Sequence, residues 1–537
     1  MKRLFLLFAV VFSINTGFGQ PPFKTGVNFP LYLPDYKSID VYLQLVSESG
    51  GKAIRQMTWA DVLWKNIEQT DNNWNFGRSD SAFFNPFSLT PIGTLYSIMG
   101  NNDTVGMQTP WLACSNPFTC YWDPAGDSIY SKDYVIQTVN RYKNITKYWE
   151  VANEIESTFP PAGLPNLLSK KNFLQYNYNW IKQADPSAKV ILPGIVGTCC
   201  TYPMSNSFTW LRNMLNAGVG NYFDIMNYHD YNAWWTLPAH YDSVQNILNQ
   251  YGLSKPIWIT ETAISSFNLS SITPSYASAN EQAADVWRRL SLLWGKGAEV
   301  VLWHSNWSSG DMNAWGEFGL VSNNGIKKKS FHSYKLLNEK ISDFTSANIL
   351  SLGTVTDNNT LGGNGIWVIH FVVNGNNKWV MWSPDNQPYT LNGLSTSYLK
   401  VTKIVPNQLL NGGDSAVFVN NINSVNGNSY VFSQLPSLPI LVEEEETNTT
   451  GVETEISDNF TFVVYPNPAQ NIISLQINSW LNNAEISISN VIGEKLLVLQ
   501  NVSGNQLNIA LDKFTKGMYF ITVHYNNMIL TKKIILQ

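Results

Sequence analysis

The sequence predicts an α/β chain in which a (β/α)8 barrel is followed by a β-sandwich domain and a small all-β C-terminal domain. Three observations carry this prediction. From residue 24 to about residue 335, short apolar runs alternate with amphipathic helical stretches, the pattern of a parallel sheet with crossover helices. After about Ser342 the helical stretches stop and alternating strands follow, punctuated by Asn-Gly, Gly-Gly and Asp-Asn turns. A last block of strands and turns, Phe460 to Gln537, lies beyond an acidic, polar stretch.

Taken in order, residues 1–20 read as an export signal. Lys2 and Arg3 supply the positive end, Leu4 to Ile14 the apolar run, and Thr16 to Gln20 a small-residue exit. No other stretch approaches the apolar length of a membrane span. The barrel then occupies 21–340. Its eight strands are expected at Thr25–Phe29, Ala53–Met57, Ile92–Ile98, Tyr148–Val151, Val190–Pro193, Ile225–Tyr228, Ile257–Thr260 and Val300–Trp303, and eight is the number that closes such a barrel. Helices are expected over Asn172–Ala184 and over Asn280–Trp294, the second opening on a cap-like Asn280-Glu281-Gln282. Residues 341–442 form the sandwich, with strands at Ile366–Val373, Lys378–Ser383, Leu399–Val405 and Ser429–Phe432. Its Trp367 and Trp379 read as core, and the domain is expected to pack on the barrel as a stabilising partner. Residues 443–458 read as an acidic linker, and 459–537 as a separate sandwich.

Composition narrows the partners. Only 14% of the 537 residues are charged and the formal net charge is −5, so the clustered Lys and Arg that bind nucleic acid are missing. Aromatics reach 13%, with 20 Trp and 25 Tyr, and such rings suit the apolar faces of sugars as well as protein cores. The four cysteines, Cys114, Cys120, Cys199 and Cys200, fit an oxidising compartment. Their pairing stays open. No CxxC or His spacing suggests a metal site, and no metal or cofactor is expected.

Two segments carry the chemistry, Trp149-Glu150-Val151-Ala152-Asn153-Glu154 and Trp258-Ile259-Thr260-Glu261. Each is an apolar strand ending in a carboxylate. Glu261 follows Glu154 by 107 residues, room for about three strand-helix units of roughly 30 residues, so both side chains are expected at strand C-termini in one cleft. Hydrolysis of a glycosidic bond needs a proton for the leaving oxygen and a nucleophile or activated water for the anomeric carbon, and two carboxyls in different environments supply both.

Residues 24–335 resemble the clan A glycoside hydrolases, whose pattern places Asn-Glu after strand four and a second Glu after strand seven. Arg55 after strand two, His229 and Tyr231 in Tyr-His-Asp-Tyr after strand six, and Trp303 on strand eight agree with that pattern. The resemblance implies a retaining two-glutamate enzyme acting on an oligosaccharide or polysaccharide. Glu154 would be the acid and base and Glu261 the nucleophile, with Arg55 and Tyr231 as donors to it, Asn153 on the sugar 2-hydroxyl, and His229 and Trp303 at the substrate. Glu150 reads as interior pairing and Glu156 as a loop residue. Trp111, Trp122, Trp234, Trp235, Trp307 and Trp315 are expected beside Trp303 as sugar-stacking rings. The last block resembles the C-terminal sorting domain of type IX secretion, in Tyr465-Pro466-Asn467-Pro468, Gly493-Glu494-Lys495, Lys516-Gly517-Met518-Tyr519 and Lys532-Lys533-Ile534-Ile535. The expected partners are therefore a carbohydrate and the type IX machinery, with the chain itself a monomer, secreted or at the cell surface. The competing reading is a non-catalytic carbohydrate-binding or adhesive protein on a barrel scaffold, which would lack one carboxylate or its donors.

Overall fold

Eight parallel strands form the first sheet: β1 (Thr25–Asn28), β2 (Ala53–Arg55), β3 (Thr90–Leu95), β4 (Tyr148–Val151), β5 (Lys189–Ile191, resuming as Ile195–Gly197), β6 (Met226–Asp230), β7 (Ile257–Thr262) and β8 (Val300–Trp303). This computed structural model describes residues 21–28, 39–55, 64–95, 128–156, 166–197, 204–266, 278–308, 314–354, 363–445, 462–491, 493–525 and 528–537. The expected signal, all four cysteines, Trp111, Trp122 and the side chain of Trp315 lie outside the described residues. Pairing runs from β1 through β2, β3 and β4 to the first piece of β5, and from β1 back through β8, β7 and β6 to its second piece. A parallel bridge from Ile191 to Ile225 joins the two pieces across β6's start and closes the ring.

A helix follows each strand: α1 (Ile39–Glu48), α2 (Gly77–Phe83), α3 (Ser128–Tyr142), α4 (Leu167–Ala184), α5 (Met204–Asn216), α6 (Leu237–Gln250), α7 (Ala279–Lys296) and α8 (Lys329–Lys340). α4 starts at Leu167 rather than Asn172, because the Asn166 side chain accepts from Ser169 N–H and the Ser169 hydroxyl accepts from Asn166 N–H, a reciprocal cap. α7 is capped by Ser278, whose hydroxyl accepts from Glu281 N–H at 3.1 Å, and not by the Asn280 that the sequence suggested.

Side chains alternate along each strand. One parity fills the barrel. Its lower layer is apolar, made of Ala53, Ile92, Ile191, Ile225, Trp258, Val300 and Leu302 under Phe23. The other parity, including Ile54, Trp149, Val151, Met226, Tyr228, Ile259, Val301 and Trp303, packs outward into the helix layer.

The sandwich places β9 (Phe344–Ser351), β10 (Trp367–Val373), β11 (Asn376–Trp382), β13 (Tyr398–Lys403), β14 (Asn420–Ser424) and β16 (Ile440–Glu445) in one antiparallel sheet ordered β9-β10-β11-β16-β13-β14; β12 (Tyr389–Asn392) pairs with β15 (Ser429–Phe432). Both faces of the larger sheet are used. Val368, Trp379, Met381, Leu399 and Val442 meet Leu391 and Phe432 in a core of the sandwich's own. Trp367, Ile369, Phe371, Val380 and Trp382 instead belong to the core that runs through the barrel's outer layer. Barrel and sandwich consequently form one compact unit, Met1–Glu446, and Thr447–Gln537 forms another. The expected linker begins later than its acidity suggested. Glu443 to Glu445 end β16, and Glu443 is buried with Lys378 at 2.8 Å and Lys340 at 3.3 Å supplying the charge that the run itself lacks.

The second unit comprises β17 (Phe462–Tyr465), β18 (Ile472–Ser489), β19 (Lys495–Ala510), β20 (Gly517–Tyr525) and β21 (Met528–Leu536) around its own apolar core. Asn467 ties its first motif to its last: the amide donates to Lys533 O and accepts from Ile535 N–H, both at 2.9 Å.

Candidate active site

Above the apolar layer, the inward positions turn polar. Arg55, Glu150, Asn227, His229, Thr260 and Glu261 are all buried there. Glu261 should face outward by strict alternation from Trp258 and Thr260. It faces in because β7 carries a bulge: its register shifts against β6 between Trp258 and Glu261, and against β8 between Ile259 and Thr262. Bulges re-aim side chains in this way, and often beside active sites.

Arg55 is the hub. Its Nε and Nη2 donate to the two oxygens of Glu150 at 2.6 and 2.8 Å, its Nη1 to Glu261 at 2.5 Å and to Asn28 Oδ1 at 3.0 Å, and its Nη2 also to Asn153 Oδ1 at 2.6 Å. Glu150 further accepts from Gly194 N–H at 3.1 Å and from the Asn227 amide at 3.0 Å. Holding its cation by Glu150, Arg55 can present one N–H to Glu261 without rotating. Because Asn153 spends its carbonyl on Arg55, its amide nitrogen is the group it has left to donate elsewhere.

Glu261 also accepts from the Tyr231 hydroxyl, and the His229 and His304 Nδ1 atoms stand 3.8 and 3.6 Å from its Oε2. Burial alone would raise its proton affinity. The charges of His229, Arg55 and His304 and the Tyr231 hydrogen bond outweigh that and hold its pKa at about 2. Glu154 is treated oppositely. It sits at the strand end with φ 47°, beside Ala152 at φ 63°, left-handed conformations that cost a non-glycine residue about 1–3 kcal/mol. Burial raises its pKa, the charge of Glu261 adds to that, and His229 and Arg55 only partly offset it.

His229 links the two. Its Nδ1 is 2.7 Å from Glu154 Oε1 and its Nε2 3.0 Å from the Thr260 hydroxyl. Desolvation lowers the proton affinity of His229, and the neighbouring Glu261 and Glu154 overcome this and raise it. With Nε2–H given to Thr260, Nδ1 is the ring atom placed to exchange a proton with the Glu154 oxygen. A glycine is required behind the ring, because a Cβ at Gly194 would fall 1.9 Å from His229 Nε2.

The sequence expectation fails at Trp303. Leu302 is the inward residue of that pair, so Trp303 points outward, wholly buried, with its Nε1 donating to Phe318 O at 3.1 Å. His304, next in parity, reaches the cleft. Among the described residues its Nδ1 has no hydrogen-bond partner, and burial lowers its pKa. Trp234, Trp235 and Trp307 are also buried and form no open stacking platform: Trp234 packs on Trp367 and Trp382, and Trp307 on Tyr42. Glu156, expected in a loop, is buried and accepts from Val196 N–H; burial and then the charge of Glu154 push its pKa up to about 8. Sequence reasoning missed Asn28, Asn227 and Thr260. Asn227 lies two residues before His229 and Thr260 two after Trp258, so strand parity was the available signal.

Glu154, His229 and Glu261 each bring one donor atom within 4.8 Å of the others, and they are the only such His/carboxylate group among the described residues. The Arg55 cation on Glu261 supplies positive charge of the kind that an ion would bring there. Two carboxyls this close, one with raised and one with lowered proton affinity, suit chemistry in which a bond needs a proton on one side and a negative charge on the other.

Residues 173–301 match the family described as glycosyl hydrolase catalytic core, and residues 463–537 match the secretion system C-terminal sorting domain. By that match the barrel carries a glycoside hydrolase catalytic core. The second unit of this glycosidase is a sorting domain, which directs the chain through type IX secretion to the cell surface or the extracellular space. Solved structures establish the same fold. A family 39 glycoside hydrolase from Bacteroides cellulosilyticus WH2 is 16% identical, with a TM-score of 0.56 over 79% of this chain and 81% of that one. An α-L-arabinofuranosidase from Thermotoga maritima is 11% identical, with a TM-score of 0.54 over 79% and 97%. A monomeric β-xylosidase from Caulobacter crescentus CB15 is 16% identical, with a TM-score of 0.50 over 76% and 93%. No curated protein matches the chain. No described helix of the glycosidase is long and apolar enough to cross a membrane.

Proposed function

We propose that this glycosidase retains anomeric configuration, with Glu261 as nucleophile and Glu154 as acid and base. One Glu261 oxygen attacks the anomeric carbon while the glycosidic C–O bond breaks and the Glu154 proton passes to the departing oxygen. Water then attacks the same carbon, gives its proton to Glu154, and displaces Glu261. The observation that carries this reading is the contrast of two carboxyls whose nearest donor atoms lie within 4.8 Å, one with lowered and one with raised proton affinity. That spacing favours the retaining separation of about 5–5.5 Å over the inverting one of about 6.5–9.5 Å. Arg55 and Tyr231 hold the charge of Glu261, His229 stores the proton with Glu154, and the Asn153 amide meets a sugar hydroxyl. The carbohydrate is an oligosaccharide or polysaccharide. The xylosidase and arabinofuranosidase named above make aryl β-xylosides and aryl α-arabinofuranosides the first substrates to try, beside aryl glucosides and plant polysaccharides.

The test is stereochemical. Proton NMR of the first product on the best substrate should show the substrate's own anomer, and Glu261→Ala supplied with azide should give a glycosyl azide of opposite configuration. A first product of inverted configuration would falsify the retaining assignment.

A further inference from the structure

The segment that carries Tyr231 meets tryptophans of the sandwich at Trp234. The segment after β6 leaves Asp230, presents Tyr231 to Glu261, and within three residues enters the turn at Trp234. Trp234 is buried, and its ring meets Trp367 at 4.9 Å and Trp382 at 5.5 Å, both edge-on, while those two rings stack on each other at 5.9 Å and 5°. The Arg288 guanidinium lies 5.1 Å over the Trp234 ring and donates to Ser437 O of the sandwich at 3.0 Å. The adjacent Arg289 donates to Asn232 O at 2.6 Å and Asp230 O at 3.2 Å. The residues on both sides of Tyr231 are thus fixed, on one side by α7 and on the other by α7 and the sandwich together.

The fit is close. A Cβ at Gly363 would lie 2.6 Å from the Trp367 ring and 3.1 Å from Trp235 Cβ, and one at Gly353 would lie 2.3 Å from Trp367 Nε1. Both glycines admit the indole. Elsewhere the same interface is ordinary apolar packing, with Phe371, four residues along β10 from Trp367, on Trp294 and Phe344.

We infer that Trp367 and Trp382 of the sandwich are positioning residues for the glycosidase reaction, acting through Trp234 to keep the Tyr231 hydroxyl on Glu261. The inference rests on the role given to Tyr231 above. The physical basis is that a donor misplaced by about 1 Å can forfeit most of the value of its contact in the reaction, and Trp234 is where the sandwich meets the segment that carries this donor.

The experiment uses the full chain and the best aryl glycoside of the panel. Trp382→Leu should lower kcat about tenfold with KM within about twofold, and Trp382→Phe should recover most of the loss. Phe371→Ala, which loosens the same interface elsewhere, should lower the melting temperature and leave kcat alone. The deciding measurement is the cycle with Tyr231→Phe: once Tyr231 has lost its hydroxyl, adding Trp382→Leu should cost no further kcat. If Trp382→Leu does not fold, Gly363→Ala, whose Cβ would press on the Trp367 ring, replaces it in the same cycle. Losses that multiply in the double variant, or a Phe371→Ala loss in kcat equal to that of Trp382→Leu, would overturn the inference while leaving Tyr231 in its role. A Tyr231→Phe enzyme of full activity would overturn the role of Tyr231 and the inference with it.

Discussion

The two ends of the barrel solve different problems with the same strands. At the N-terminal end the inward residues are Phe23, Ala53, Ile92, Ile191, Ile225, Trp258, Val300 and Leu302, all apolar. Nearer the C-terminal end the same inward parity supplies Arg55, Glu150, Asn227, His229 and Thr260. The lower layer is held by burial and dispersion, which are non-directional and tolerate volume-conserving exchange. The upper layer is held by charge pairs that lose their compensation as soon as one partner goes. A substitution in the lower layer is therefore expected to be felt as lost stability with the chemistry kept, and one in the upper layer first as lost chemistry.

The largest effect is expected at the top. Glu154→Ala should slow substrates with poor leaving groups by about 10³–10⁴ and activated aryl glycosides far less, since only the former need the proton. Equal losses in kcat/KM across a leaving-group series would remove Glu154 from that role. At the bottom, Leu302→Ala should cost about 2–5 kcal/mol of stability by opening a cavity under the site, read as a lower urea midpoint, with kcat within about twofold of the parent. A large loss of kcat there would break the separation.

The two carboxyls sharpen the comparison through pH. With its folded pKa lowered from an ordinary 4.5 to about 2, Glu261 contributes stability that is fully present above about pH 4.5 and is lost as pH falls toward 2. That is worth about 3 kcal/mol at 1.36 kcal/mol per pKa unit. Glu154, raised, has the opposite sign: its contribution is present at low pH and is lost as pH rises through its folded pKa. Acid titration of urea stability should therefore be flatter between pH 4.5 and 2 in Glu261→Gln than in the parent, and unchanged slopes would mean that Glu261 keeps its ordinary affinity. The smallest effect is expected from truncation after Glu446, which should leave turnover unaltered, because the second unit has its own core. A drop in kcat on truncation would show that the units are coupled.

Much of this was legible in the sequence because barrel strands announce themselves as short apolar runs. Tyr148–Val151 and Val300–Trp303 were read with the bounds that the structure gives. Glu154, Glu261, Arg55, Asn153, His229 and Tyr231 meet in one cluster. What could not be read was direction. Trp303 and His304 are neighbours, and only the register against β1 and β7 tells which faces in. Glu261 faces in through a bulge that no period-two pattern contains. The tryptophans after β6 were misread for another reason: an indole suits a sugar face and a protein core equally, and only the sandwich packed against them decides between the two.

The larger sheet of the sandwich, covered on both faces, also has a bearing on how such chains can be reshuffled. A crossover at residue 340 would part Trp367 and Trp382 from Trp234 and leave wet, apolar surfaces on both products, so a foreign sandwich could replace this one only if it brought matching rings. A crossover after Glu446 cuts no shared core. Barrel and sandwich are therefore expected to exchange as one block, and the sorting domain to exchange alone.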